Sequence, residues 1–400
     1  MRMEPGGADN PRSRLESRSL LVRRFPLRTL LLMLVALIAF GRLWCVTHPE
    51  EAPGPRPARM AQAGDDVPSG APARSSTPEC RTLERALESA LRAPQEPRVL
   101  AEARQQLDAC RQPPVRACAL GVALDARSPL SEGEATPLRG LLASLCERCP
   151  PAANSCAQAV GQALLSAAVG PHVDTASAKW NLEHAGAGLG GACASLVQLG
   201  LAPAAQSGLT VRPPVLALTG ALAPRCAQAG LLDDALLRAA AANLVASTPA
   251  LVALAAGPIP PETSAMKPDQ IEGTEPGFQA FDRDENTGVP VGQALKSKRW
   301  DADGALRASY APTLKQLVSV TVRATGPGTV RAIVRTPRGV GLKDPEKDFA
   351  FVNPTVCRFN GTGQWEQCPL QVPLRDVDAV SVFPERADTE LKELEVHGAR

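Results

Sequence analysis

Aromatic side chains are scarce in this chain. Only 3% of its 400 residues are aromatic, with a single Tyr and four Trp, and His occurs four times. Sugar- and base-binding clefts stack ligands on aromatic rings, and this composition supplies few such platforms. Charge of one sign is missing too: 43 basic residues face 41 acidic ones, and no long basic run lies beyond the first 30 residues. That excludes a nucleic-acid footprint. No Gly-x-Ser-x-Gly elbow, HExxH pair or P-loop occurs. What dominates is Ala, Leu, Pro and Gly, a composition suited to close-packed helices.

Residues 1–28 carry seven Arg against three acids, followed by the unbroken apolar run Leu30–Phe40, which Leu43, Trp44 and Val46 extend past Arg42. The positive flank stays cytoplasmic, so 29–46 reads as a transmembrane signal-anchor and everything after it faces outward. The span is short against the ~20 residues a bilayer needs. Ala39-Phe40-Gly41 fits a small-x-small cleavage site, which gives the alternative of a secreted chain. Cys45 would invite lipidation, but Trp44 occupies the place of a small residue. Residues 47–76 are rich in Pro, Ala, Gly and Ser without periodicity, and predict a disordered spacer.

Cysteine is not scarce. Cys80, Cys118, Cys156, Cys193 and Cys226 recur at steps of 38, 38, 37 and 33 residues, and the last four each begin a Cys-Ala dipeptide. That step predicts a stack of helical hairpins, and the cysteines predict an oxidising compartment. Leu83, Leu87, Ala90 and Leu91, then Leu100, Ala103, Leu107 and Cys110, have the period of amphipathic helices. Ser131-x-x-Glu134 reads as a capping box. Residues 77–250 are therefore expected to be a disulfide-stapled helical repeat domain. In a hairpin the start of the first helix lies beside the end of the second. That predicts Cys80–Cys110, Cys118–Cys146 and Cys193–Cys226, with Cys149–Cys156 left to close a turn.

Prolines 258, 260 and 261 interrupt the helical pattern, and 251–270 reads as a linker. Beyond it the period becomes two: Val318, Val320 and Val322 alternate with Ser319, Thr321 and Arg323, and Val330, Ala332 and Val334 with Arg331, Ile333 and Arg335. Short strands between Gly, Pro and Asp turns predict an all-β antiparallel sandwich over 271–400. Cys357 and Cys368 flank Asn360-Gly361-Thr362-Gly363 symmetrically, which predicts a cross-hairpin disulfide. The fold class is thus multidomain, an all-α helical-hairpin solenoid followed by a jelly-roll-like sandwich.

Two resemblances sharpen this. Cys118-Ala119-Leu120-Gly121, the other Cys-Ala openings, and the Cys110 to Cys118 and Cys149 to Cys156 spacings resemble cysteine-rich SEL-type tetratricopeptide-like repeats of secreted bacterial proteins, over about 80–246. The resemblance implies a curved solenoid used for protein contacts. Ala280-Phe281-Asp282-Arg283-Asp284-Glu285-Asn286-Thr287 and the ending Leu391–Gly398 resemble a discoidin-type, galactose-binding-like jelly roll, over about 277–398. Arg283 stands where that family has glycine, and the Trp expected after Thr287 is missing.

Candidate chemistry is thin. Asp282, Asp284 and Asn286 offer oxygens at alternating positions, as calcium loops do, although an EF-hand would need Gly and Glu where Thr287 and Gln293 stand. Such jelly rolls often carry a structural calcium here, and a plain Asx-rich turn is the competing reading. Trp300, Tyr310 and Trp365 could stack on a sugar, with Arg331, Arg335 and Arg338 reading acidic groups. Core packing and a solvated strand face account for the same residues. Cys146-Glu147-Arg148-Cys149 ends a helix, where the dipole disfavours a reactive thiolate. Gly186–Gly191 spells GxGxxG without a preceding strand. His172, Asp174, Glu183 and His184 are spread across a bend. Asn360-Gly361-Thr362 is a glycosylation sequon, relevant only to a eukaryotic secretory route.

These observations predict a non-catalytic binding or scaffold protein of a bacterial cell envelope, with no cofactor beyond a structural calcium. It would sit in the inner membrane with its C-terminal part in the periplasm, contacting an envelope protein through the helices and a polysaccharide or a second protein through the sandwich. An envelope hydrolase carrying a carbohydrate-binding module is the alternative. A periplasmic thiol-redox protein is the third reading.

Overall fold

A computed structural model describes residues 78–127, 136–171, 174–257, 263–296, 304–337, 340–343 and 349–400. The expected basic flank, anchor and spacer, the capping box at Ser131, and His172, Trp300 and Arg338 lie outside the described residues.

Eleven α-helices precede the sheets among the described residues. They are α1 Pro78–Arg92, α2 Pro97–Ala109, α3 Val115–Arg127, α4 Thr136–Arg148, α5 Ser155–Val169, α6 Thr175–Glu183, α7 Leu189–Leu196, α8 Ala202–Ala204, α9 Pro213–Gln228, α10 Asp234–Ala242 and α11 Pro249–Ala255. Local chemistry starts them. Proline opens α1 and α2, where its missing N–H costs nothing. The side chains of Asn154, Asp174 and Asp233 cap α5, α6 and α10 by accepting backbone N–H bonds at 2.9–3.0 Å. The stripes Leu83, Leu87, Ala90 and Leu100, Ala103, Leu107 are buried, as their period predicts. Small residues let helices approach closely: a Cβ at Gly121 would sit 2.4 Å from Leu145 Cδ2. Between α7 and α8 the chain makes a π-helical turn, Val197–Leu201, in which Ala202 N–H donates five residues back to Val197 O. Pro203 has no N–H to offer Leu199 in the α register, so the wider turn is placed where the ladder would break anyway. Residues 186–204 are long and apolar enough to cross a membrane. Here Cys193 is bonded to Cys226, and Leu196, Leu201 and Ala204 lie in the core.

The disulfides correct two of the expected pairings. Cys80–Cys110 and Cys193–Cys226 join as the hairpin rule predicts. Cys118 bonds Cys149 rather than Cys146, and Cys146 bonds Cys156. The reason is positional. Cys110 is the first residue after α2 and Cys149 the first after α4, so these two are equivalent and each reaches back to the start of its own hairpin. Cys146 lies one turn earlier and meets the first turn of α5. It therefore staples one hairpin to the next instead of closing a turn. Each loop of about 30 residues stabilises by roughly 3–4 kcal/mol in the chain-entropy account.

Eleven strands follow among the described residues: β1 Ser264–Ala265, β2 Gln270–Gly273, β3 Leu306–Leu314, β4 Gln316–Thr325, β5 Gly328–Thr336, β6 Leu342–Lys343, β7 Ala350–Val352, β8 Thr355–Phe359, β9 Trp365–Leu374, β10 Val377–Pro384 and β11 Glu390–Ala399. They form two antiparallel sheets. One has the order β1-β11-β4-β9, the other β2-β3-β10-β5-β7-β6 with β8 also on β5. Val330, Ala332 and Val334 point inward with Val380 and Val382, as their alternation predicts. Val318 does not share the inward face of Val320 and Val322. The register of β4 against β9 shifts between Leu317 and Ser319, and the fully buried Leu317 takes the inward place. Cys357–Cys368 forms, but β8 and β9 lie in different sheets, so the bond ties sheet to sheet rather than crossing a hairpin.

The helical and β regions share one continuous apolar core, and a second core fills the first two hairpins. Their junction is polar and specific. Asn243, fully buried, donates Nδ2 to Ala204 O at 2.7 Å and accepts from Thr355 N at 3.3 Å. Leu244 N donates to Thr355 O at 3.0 Å. Ser207 N donates to Asn353 Oδ1 at 3.1 Å, and the Ser207 and Thr355 hydroxyls are 2.5 Å apart. Arg375 pairs with Asp234 at 3.0 Å. Asn243→Ala leaves a buried carbonyl and a buried N–H without this partner and is expected to cost about 2–4 kcal/mol. Thermal unfolding followed by circular dichroism checks this, and helical and β signals should fall together.

Candidate functional site

The loop between β2 and β3 places the best-defined polar cluster. Asp282 Oδ1 accepts from Asp284 N at 2.8 Å, and both its carboxylate oxygens lie 3.1 Å from Thr287 Oγ1. Asp284 Oδ1 accepts from Asn286 N and Nδ2, each at 3.0 Å. These are Asx turns, and they spend the oxygens of Asp284 on the loop itself. Arg283 has φ +65°, the left-handed region that glycine enters freely and other residues rarely. The backbone here thus has the conformation for which the resemblance carries glycine.

Sequence reasoning missed the residue that completes this cluster. Glu393 on β11 is 1% exposed and hydrogen-bonded to Asp282, and its Oε1 has no partner. Burial first, and then the Asp282 charge, push its carboxyl up to about 7. Only the closing strand's resemblance to the family ending could have drawn attention to it. Asp282 and Glu393 line a cavity of about 270 Å³ with Met266, Lys267, Phe281 and Arg283. Two carboxylates in contact, one of them with an orphaned buried oxygen, and a hydroxyl at Thr287 are donors of the kind a hard cation takes. A divalent charge would offset the burial and the Asp282 charge that together raise the Glu393 carboxyl. Among the described residues no group of three or more His, Cys, Asp or Glu has metal-holding geometry, so the remaining ligands would be the hydroxyl, backbone carbonyls and water.

The aromatic and arginine residues are not brought to one place. Tyr310 is 3% exposed on the inward face of β3, unable to stack on a ligand. Trp365 lies on β9 of the four-stranded sheet, opposite Arg323. Arg331 and Arg335 belong to β5 of the other sheet, where Arg335 pairs with Asp378 at 2.6 Å and covers the Phe349 ring.

The other motifs are absorbed by structure. Cys146 and Cys149 are bonded to different partners, so the CxxC is not a closed redox pair. Gly186–Gly188 forms a 3-10 turn between two helices. Asp174 caps α6, and His184 stacks on Trp180 with its Nδ1 2.8 Å from Trp180 O. Asn360, Gly361 and Thr362 point their backbone N–H groups at Glu366. A second crevice of about 300 Å³ opens where helices meet sandwich, lined by Gln198, Pro203, Gln206, Leu209, Val340 and Gly341.

No protein-family model matches the chain, and no curated protein matches its sequence.

With chelator present, the raised Glu393 sets a pH dependence. The folded state keeps its proton up to about 7 and the unfolded state releases it near 4.5. Its stabilising share is therefore full below pH 4.5 and lost as pH rises towards 7. Chemical denaturation across that window should show wild type losing stability relative to Glu393→Gln.

Proposed function

We propose that the chain is a non-catalytic binding and scaffold protein of a bacterial cell envelope, tethered or exported. Its helical repeats, read as SEL-type tetratricopeptide-like units, contact a protein. Its sandwich, read as a discoidin-type jelly roll, contacts a glycan or a second protein. The observation that carries this reading is the pairing of all ten cysteines between Cys80 and Cys368 in five disulfides. Such density suits an oxidising compartment and a rigid surface rather than thiol chemistry. The left-handed Arg283 and the closing strand over Leu391–Gly398 support the jelly-roll reading.

For the second reading, an envelope hydrolase, the Asp282–Glu393 pair is the acid–base candidate to weigh. Those two carboxylates touch, whereas glycoside hydrolysis needs them about 5 Å apart or more. A structural calcium held by Asp282, Glu393 and Thr287 accounts for them better. Added calcium is expected to raise the melting temperature of wild type by several degrees and leave Glu393→Gln unmoved, as differential scanning fluorimetry reads directly.

The scaffold reading is tested by crosslinking the chain in its native envelope and identifying what is joined to it. A recurrent partner linked through residues 78–257 is expected. Turnover of an envelope polymer by the purified chain, abolished in Asp282→Asn, would replace this reading with the hydrolase.

A further inference from the structure

Arg283 is a residue the fold would do better without. At φ +65° its backbone lies where glycine is free and a Cβ is disfavoured, at a strain of order 1 kcal/mol. Its N–H serves Glu393, a bond that glycine would make equally well. The side chain, by contrast, ties nothing together. It is exposed, and no carboxylate or carbonyl among the described residues engages its guanidinium. Lys267, between β1 and β2, is also exposed with its ammonium unpaired, although its backbone carbonyl accepts from Arg400 at 3.1 Å.

Both cations line the cavity of about 270 Å³ that Asp282, Glu393 and Phe281 also line. Glu393 is 1% exposed and brings to it an Oε1 without a partner. Without a bound cation, the acidic side of this cavity would repel an anion. With calcium on Asp282, Glu393 and Thr287 the sign reverses, and an anion would meet the ion on one side and Arg283 and Lys267 on the other. The cavity is below the roughly 300–1,000 Å³ of drug-sized sites, which suits one acidic sugar rather than a long segment. We infer that Arg283 and Lys267, together with that calcium, bind the oxyanion of an acidic glycan, its carboxylate in the first instance, with Phe281 beside the apolar face of the sugar. This rests on the binding and calcium readings above, and it makes ion and ligand mutually dependent. A sugar phosphate presents the same chemistry from a different source.

The test is isothermal titration of the full chain in detergent with digalacturonate, neutral maltose and glucose 1-phosphate, each in calcium and in chelator. Digalacturonate is expected to bind in calcium and at least tenfold more weakly in chelator, and maltose not to bind. By linkage, digalacturonate should tighten calcium binding by the same factor. Arg283→Gly should weaken the sugar acid about tenfold or more while its melting temperature does not fall, because glycine relieves the backbone. If that variant does not fold, Lys267→Gln carries the test, with a loss of about threefold or more expected. Glucose 1-phosphate binding with the same dependence on calcium and Arg283 supports the oxyanion site and moves its source to phosphate. Binding of neither anion, or binding indifferent to chelator or to these substitutions, overturns the site. In that event a melting temperature still raised by calcium leaves the structural-calcium reading standing, and one unmoved by calcium removes it as well.

Discussion

A helical stack whose buried side chains are mostly alanine and leucine has little apolar area per residue to bury, and the covalent and polar links of the molecule answer that limit. Alanine lets helices approach closely but removes few square ångströms from water at each contact. Large side chains could have filled wider gaps, yet the chain has few of them. Covalent links supply what the packing does not. Four of the five disulfides lie in the helical region, and they constrain the unfolded chain rather than add contacts to the folded one.

The sandwich solves a second problem for the helices. Their last members expose buried polar backbone at the end of the stack, and Asn243 closes it by serving Ala204 and Thr355 at once. Because these bonds cross from helix to strand, orientation between the two regions is set by directional groups and not by apolar contact alone. A surface that presents two ligand-facing parts gains from such fixity, since neither part spends entropy on alignment when the other is engaged.

Much of the fold was legible in the residues. The 3.6-residue stripes of α1 and α2 and the alternation in β5 are local properties, and local pattern reported them faithfully. Where the reading failed, the deciding quantity was non-local. Cys146 and Cys149 are three residues apart, and only the point at which α4 ends decides which of them faces its own hairpin. Val318 alternates correctly in sequence but sits beside a bulge, which no pattern of apolar residues announces. The acidic cluster shows the same boundary. Asp282 stood out through its loop spacing, while Glu393 is one more charged residue on a strand until the closing strand folds against that loop.

The crossed pairing of Cys118–Cys149 and Cys146–Cys156 has a mechanical consequence. Tension applied along the chain does not run through the 38 residues from Cys118 to Cys156. It passes across one sulfur bridge to Cys149, back along three residues to Cys146, and across the second bridge to Cys156. Fully drawn out, that path contains about 10 Å of backbone besides its two bridges, instead of the ~130 Å that 38 residues would span at roughly 3.5 Å each. The middle of the solenoid is therefore close to inextensible, a strut able to carry a pull between whatever holds its two ends.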